Sequence, residues 1–219
     1  KEVYFKKIPP QSLRMSSDQK LKEGDEVVEQ IESVNSAELL FFTDRQQVYK
    51  SFAYEFDDTK ASVLGDYIPA KLGFDEGESA VAMIVTTDYK GCLLFFFENG
   101  KVAKIPLSAY QTKTKRKKLA NAYSGASPLA AVRAVTEEGE FMLISSNTRR
   151  LLFNTAMIAS KSTRDSQGVA VMTQKKNCVL VKALPYKEGE LANPHRYRTK
   201  TLPAAGMLPR EEDFGEQMS

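Results

Sequence analysis

A hairpin-and-strand unit recurs four times along this chain with a period of roughly 50 residues, and nothing else in the sequence restricts the fold so strongly. The clearest copy is Leu93–Tyr110, LLFFFENGKVAKIPLSAY. Leu93–Phe97 is an apolar, Phe-rich run that suits a strand buried on both faces. Glu98-Asn99-Gly100 reads as a tight turn, with Asn and Gly for the positive-φ positions of a short hairpin. Lys101–Ile105 then alternates: Lys101 and Ala103 outward, Val102 and Ile105 inward, Lys104 unassigned. Pro106 ends the pairing because it has no N–H to donate. The other copies are VYFKKIPPQSL from Val3, LLFFTDRQQVYKSFAYEF over Leu39–Phe56 and FMLISSNTRRLLFNTAMI over Phe141–Ile158. The first apolar residues after each turn, Val3, Val48, Val102 and Leu151, mark the register.

Each copy also has a second half. Tyr67–Ile84 places Glu76-Gly77-Glu78 before an alternating strand, and Leu21–Ile31 places Glu23-Gly24-Asp25 in the same way. The third copy has Ser124-Gly125 followed by SPLAAVRAV, and the fourth runs from Ser166 to Leu184 with a different turn. The first copy has no opening apolar strand; that strand would lie before Lys1, so the sequence is expected to begin inside a blade. The period, the β-branched and aromatic enrichment and the turn residues suit a four-stranded blade rather than a helical solenoid. The expected fold class is therefore all-β: a repeat-built pinwheel or propeller of about four blades of antiparallel strands. The pattern stops at Pro185. Residues 1–185 are expected to form the domain, and 186–219 a polar, Pro-containing C-terminal tail, extended or disordered, that ends on Glu211-Glu212-Asp213 and Glu216.

Composition narrows the function by exclusion. With 219 residues, 42% hydrophobic and 27% charged, the chain has the material for a proper core, and its net charge of +3 decides nothing about partners by itself. The longest strongly apolar run, Cys92–Phe97, is too short to cross a bilayer as a helix. Cys92 and Cys178 lack neighbours at metal-ligand spacing and read as reduced thiols in buried strands. His195 is the single histidine, which rules out a multi-histidine metal centre; it reads as an exposed residue of the tail. No GxxxxGK[ST], GxSxG or HExxH motif occurs, and the acidic pairs Asp57-Asp58 and Glu137-Glu138 read as solvated turns. No catalytic residue, metal or cofactor is assigned.

The paired motifs carry a family resemblance. LLFFTDRQQVYKSFAYEF with its later DEGE-plus-strand, LLFFFENGKVAKIPLSAY with its Pro-Leu-Ser-x-Tyr ending, and SQGVAVM resemble blades of the C-terminal β-pinwheel of bacterial type IIA topoisomerase A subunits, those of DNA gyrase and topoisomerase IV. The likeness runs over about residues 3–184. It implies blades around an axis, with strands exchanged between neighbours, and a basic rim that holds curved double-stranded DNA and presents it to the cleavage gate. It further implies a cytoplasmic, nucleoid-associated bacterial setting with no membrane partner. Two other partners follow from it: the catalytic N-terminal region of the same polypeptide, which carries the tyrosine chemistry outside this chain, and the ATPase B subunit. One departure is plain. Gyrase A subunits carry a Gln-Arg-Arg-Gly-Gly-Lys-Gly box after the first Pro-Leu-Ser-x-Tyr strand, whereas here Arg14-Met15-Ser16-Ser17-Asp18-Gln19-Lys20 holds that place without glycine. A topoisomerase IV-like or divergent gyrase-like role fits better.

Holding DNA on a rim needs cations at phosphate spacing, because backbone contacts dominate affinity and carry no sequence information. The densest group is Lys113, Lys115, Arg116, Lys117 and Lys118, in a loop leaving a strand; a solvated turn is the competing reading. Lys6, Lys7, Lys50, Lys101, Lys104, Arg149 and Arg150 lie in or beside the second strands of the hairpins. Two readings stand for them: a discontinuous ring of phosphate contacts, or edge protection against sheet-to-sheet aggregation. Arg164, Lys175 and Lys176 read as turn markers. Phe41, Phe42, Phe95, Phe96 and Phe141 are assigned to the core. Only Tyr49 and Tyr123 qualify as base-stacking candidates. The alternative function, from a different class, is a propeller-like scaffold that binds another protein through a face of the disc.

Overall fold

A computed structural model of the chain describes residues 3–14, 21 and 26–214. Its strands are β1 (Tyr4–Phe5), β2 (Glu38–Thr43), β3 (Val48–Phe52), β4 (Asp66–Tyr67), β5 (Ala80–Thr86), β6 (Cys92–Phe97), β7 (Lys101–Pro106), β8 (Lys118–Leu119), β9 (Leu129–Val135), β10 (Glu140–Ser145), β11 (Arg150–Asn154), β12 (Val169–Ala170) and β13 (Leu180–Tyr186). They form four antiparallel sheets, ordered β1-β4, β5-β2-β3-β8, β12-β7-β6-β9 and β11-β10-β13. The chain divides into two compact units, Lys1–Asp88 with Thr112–Ala120, and Tyr89–Gln111 with Asn121–Ser219. The first two sheets lie in the first unit and the last two in the second.

Three hairpins repeat residue by residue. Phe42 pairs Val48, Phe96 pairs Val102 and Ile144 pairs Arg150, and each first strand carries a register shift at the next step, Phe42/Thr43, Phe96/Phe97 and Ile144/Ser145. Each turn holds one positive-φ residue two places before that pair: Gln46, Gly100 and Thr148. At Gly100 the φ is +83°, and a Cβ would lie 1.8 Å from the Met172 carbonyl oxygen, so glycine is required on both counts. Asn99 serves differently from expectation. Its side-chain oxygen accepts the Lys101 N–H, an Asx-type closure, and it does not adopt positive φ. The register also corrects the fourth marker: Arg150, not Leu151, occupies the position of Val48 and Val102. Sequence reading passed over it because it is charged.

A helix-like step follows each hairpin. Ala53–Glu55, Leu107–Tyr110 and Thr155–Met157 form single 3-10 turns that redirect the chain. A two-residue strand then pairs with the second hairpin strand of the preceding repeat: β4 on β1, β8 on β3, β12 on β7. A longer strand returns to the first hairpin strand of its own repeat: β5 on β2, β9 on β6, β13 on β10. Every complete blade therefore borrows one edge from the next stretch of chain.

The acidic turn before β5 has a structural purpose. The Glu78 carboxylate accepts hydrogen bonds from Thr43 Oγ1 (2.5 Å), Tyr49 Oη (2.6 Å), Gln47 Nε2 (2.8 Å) and the Asp75 N–H (3.0 Å). It is 4% exposed and ties the turn to the β2–β3 hairpin. Burial pushes its pKa up, but the bonds from Thr43, Tyr49 and the Asp75 amide outweigh burial and hold it below the ordinary carboxylate range. The first core, Leu39, Phe41, Tyr49, Phe56 and Ile68, is closed by Phe5, Phe74 and Met83. In the second unit Leu94, Phe96, Val102, Phe141, Leu143 and Phe153 meet around Met172 and Ile158. All five phenylalanines assigned to the core are buried.

Four local expectations change. Ala103 and Lys104, read as outward and unassigned, are both buried in β7, because the strand is covered on both faces. The strand expected near Leu21–Ile31 is not formed over 26–34, where Val27, Val28, Ile31 and Val34 are exposed. Its Glu23-Gly24-Asp25 turn lies outside the described residues. Cys178 is half-buried just past the turn at Lys176-Asn177 rather than within a strand, and Cys92 opens β6 half-buried. Finally, the segment after Pro185 packs. The Leu152 N–H donates to the Tyr197 carbonyl, the Thr199 N–H to the Leu152 carbonyl, and Arg150 and Met207 exchange both backbone bonds. These residues cover the β11 edge that a borrowed strand covers in the preceding blades. Tyr197, 1% exposed, joins Met142, Leu152 and Tyr186 in a further core and donates its hydroxyl to Asp213.

Candidate nucleic-acid interface

The cationic loop is built by the redirecting turn after β7 and the short strand β8. In the second unit Leu107 and Tyr110 are buried, Tyr110 donating its hydroxyl to the Ala122 carbonyl at 2.7 Å. In the first unit Leu119 is 3% exposed and pairs with Val48. Lys113, Lys115, Arg116, Lys117 and Lys118 all reach solvent. Among the described residues no ion pair engages Lys113, Lys115 or Arg116. Lys117 Nζ lies 2.9 Å from Glu55 Oε1, and Lys118 Nζ lies 3.6 Å from Asp75 Oδ2 and over the Tyr49 ring at 5.2 Å. Hydrogen bonding to Tyr49, with the charges of Asp75 and Glu78 nearby, raises the Lys118 pKa. The backbone is held too, with the Lys50 N–H donating to the Lys117 carbonyl at 2.7 Å.

The other expected cations are placed differently. Lys50 and Lys104 occupy the same register position, two residues after Val48 and Val102, and both are buried, 6% and 7% exposed. Lys50 lies 3.6 Å from Glu38 and donates to Thr112 at 3.1 Å. Lys104 pairs with Glu138 and reaches the Thr155 and Ile158 carbonyls at 3.3 Å. Lys7 shares the Lys-Ile-Pro tripeptide of Lys104 and is held by Asn35 (2.8 Å) and Asp58 (3.2 Å). Lys6 points to the Ala61 carbonyl at 2.8 Å, and burial lowers its pKa. The repeat lysine is therefore an internal tie, with Asp58 and Glu138 of the acidic loops as partners of Lys7 and Lys104 and Glu38 of β2 as partner of Lys50. Lys50 and Lys104 are corrected from rim cations to structural ones, because a charge inside a blade cannot reach a phosphate; Lys6 and Lys7 are half-buried and already engaged.

In the second unit Lys101 is half-buried at the start of β7. Arg149 donates to the Gly206 carbonyl at 2.9 Å. Arg150 lies under the Phe214 ring at 4.8 Å, and burial lowers its pKa. Both arginines are thus engaged by the C-terminal segment. Arg164 donates to the Ala109 carbonyl at 3.2 Å. Tyr49 and Tyr123, the stacking candidates, are 3% and 2% exposed and belong to the core.

Sequence reading missed Tyr54. It sits in the 3-10 turn after β3, is 55% exposed, and stacks on Phe52 with ring centroids 5.0 Å apart and planes 8° from parallel. Nothing in its local sequence separates it from a core aromatic. Glu38, Phe52, Tyr54 and Glu55, together with the loop Thr112–Lys117, line a cleft of about 330 Å³.

Proteins of known structure share this fold. The C-terminal domain of DNA topoisomerase IV superposes with a TM-score of 0.79 at 20% identity, over 94% of this chain and 69% of that one. This chain has the topoisomerase β-pinwheel fold. The DNA gyrase A C-terminal domain matches at TM-score 0.62 and 17% identity, over 91% of this chain and 70% of that one. The E. coli ParC C-terminal domain matches at 0.65 and 12%, over 88% and 84%. No family model matches the sequence. Similar proteins include the DNA gyrase A subunit of Metamycoplasma arthritidis, 24% identical over 211 residues, which is 89% of this chain and 23% of that protein. The DNA gyrase A subunit of Streptomyces coelicolor is 28% identical over 178 residues, 78% of this chain and 20% of that protein. The β-pinwheel chain thus spans about a quarter or less of the length of these curated relatives. Among the described residues no helix is long and apolar enough to cross a membrane.

Proposed function

We propose that this β-pinwheel is the DNA-binding, DNA-bending C-terminal part of the A subunit of a type IIA topoisomerase, acting beside a catalytic N-terminal region and an ATPase B subunit in the bacterial cytoplasm. The observation that carries the reading is the loop of residues 112–118, with Lys113, Lys115 and Arg116 presented to solvent and, among the described residues, without a carboxylate partner. Cations of this kind attract phosphates of any sequence, and their release of counterions supplies the affinity. Lys117 and Lys118 exchange their carboxylates for phosphates at some loss, and Lys101 and Arg149 are secondary contacts. Ligating nicked circles in the presence of the 219-residue chain tests bending directly. The expected result is a displaced topoisomer distribution, and one identical to the protein-free control removes the bending reading.

The loop after the Pro-Leu-Ser-x-Tyr of the third repeat, Gln111–Lys118, has no glycine pair, while the corresponding first-repeat stretch from Met15 to Lys20 lies outside the described residues. Absence of a gyrase-type box supports a topoisomerase IV-like or divergent gyrase-like role. The protein-scaffold reading draws on one feature, the exposed Val27, Val28, Ile31 and Val34.

A further inference from the structure

The cleft beneath the cationic loop has a chemistry that duplex binding does not use. A phosphate-only site needs cations; here an exposed aromatic ring lines the same cleft as they do. Tyr54 is held flat by its stack on Phe52, so its free face is presented in a fixed orientation. Such a pre-set ring loses little freedom when a second ring stacks on it, and base–aromatic stacking tolerates any base. The two carboxylates in the wall are already matched: Glu38 by Lys50 at 3.6 Å and Glu55 by Lys117 at 2.9 Å. Hydrogen bonds from Lys117, the Phe52 N–H and Ser51 overcome the effect of burial and hold Glu55 ionised below the usual carboxylate range, so it stays paired with its lysine. Among the described residues Lys113, Lys115 and Arg116 are the cations of the wall without an ion-pair partner. At about 330 Å³ the cleft falls at the small end of ligand sites.

We infer that Tyr54, with Lys113, Lys115 and Arg116, forms a binding site for an unpaired nucleotide of single-stranded DNA: the base stacks on Tyr54 and the flanking phosphates meet the loop. The site rests on the DNA-binding reading above but is separable from it. A paired base is shielded by its neighbours and cannot lie on Tyr54, so the shelf discriminates single strands from duplex, whereas the loop alone does not.

The test uses the full chain, with fluorescence anisotropy against a single-stranded oligothymidylate, a duplex and free thymidine monophosphate. Tyr54→Ala should weaken the single strand by roughly 5- to 150-fold, as expected for one lost base stack. Duplex binding should change by less than about twofold, because phosphate contacts dominate it. Tyr54→Phe should restore single-strand binding. Because the chain has no tryptophan, Tyr54→Trp supplies a single indole reporter. Its fluorescence should be quenched by the oligothymidylate and not by duplex, and quenching by thymidine monophosphate alone would assign the site to free nucleotides instead and overturn the single-strand assignment. Equal losses for both DNA forms, no loss, or an unquenched indole at saturating single strand would overturn the inference while leaving duplex binding intact. Failure of the wild-type chain to bind duplex would instead reject the broader reading.

Discussion

Replacing Glu78 by Gln tests the physical account of the second-half motif. Glu78 is almost fully buried and its two oxygens accept four hydrogen bonds, from Thr43, Gln47, Tyr49 and the Asp75 amide. A bond to a charged acceptor contributes about 1.5–3 kcal/mol, but the four share one group and do not add. Gln keeps one acceptor oxygen and turns an amide N–H₂ towards donors, which should cost about 1–3 kcal/mol at neutral pH; Ala, which strands all four donors, should cost about 3–5 kcal/mol. The pH dependence follows from the depressed pKa of Glu78. The folded state holds the carboxylate ionised more firmly than the unfolded chain does, so the contribution is complete above the unfolded value of about 4.3 and is lost as pH falls through the lower folded value. Urea melts at a series of pH values from neutral downwards measure it. The gap between wild type and Glu78→Gln should be constant near neutrality and close at acid pH. A gap that stays the same at every pH would show that packing, not the ionised carboxylate, holds the turn.

Three further substitutions probe other parts of the fold. Gly100→Ala forces a side chain into positive φ and onto the Met172 carbonyl, and should lower the unfolding free energy by more than the roughly 1–3 kcal/mol of backbone strain alone, with a matching fall in the urea midpoint; an unchanged midpoint refutes the turn geometry. Lys104→Ala removes a buried lysine that ties the exposed Glu138 carboxylate to the Thr155 and Ile158 carbonyls, and should destabilise the fold by about 1–3 kcal/mol while leaving duplex affinity unaltered. Lost affinity in a fully folded Lys104→Ala protein would return that lysine to the interface. Tyr197→Ala removes a buried ring from the last blade and should cost about 3–5 kcal/mol, whereas a neutral result would mean the C-terminal segment is not integral to the fold.

The hairpins were legible because their signals are local: Phe-rich runs such as Phe95–Phe97, a positive-φ turn residue and β-branched neighbours. The turn at Glu76-Gly77-Glu78 was legible as a motif, but not its reason, since the donors that Glu78 serves come from residues some thirty places earlier in the chain. The borrowed strands β4, β8 and β12 were not located because two residues carry no periodicity. Lys104 misled in a specific way: on an edge strand lysine usually faces water, and only the register that sets it beside Glu138 shows otherwise. The segment after Pro185 has few apolar residues and three prolines, the composition of a tail, yet its backbone bonds to β11 and the ring of Tyr197 fix it. The dense cations of the third loop were recognised from sequence; which of them are already matched by Glu55 and Asp75 required coordinates.

The salt dependence of duplex binding bears most directly on the claim that unpaired loop cations carry the affinity. For the wild-type chain, log K should fall steeply with log salt, and changing Lys113, Lys115 and Arg116 together to Ala should make that slope shallower by about 2 to 3, or nearly one unit per lost phosphate contact, equally for unrelated DNA sequences. An unchanged slope in the triple variant, or a flat response in the wild type, would contradict the account.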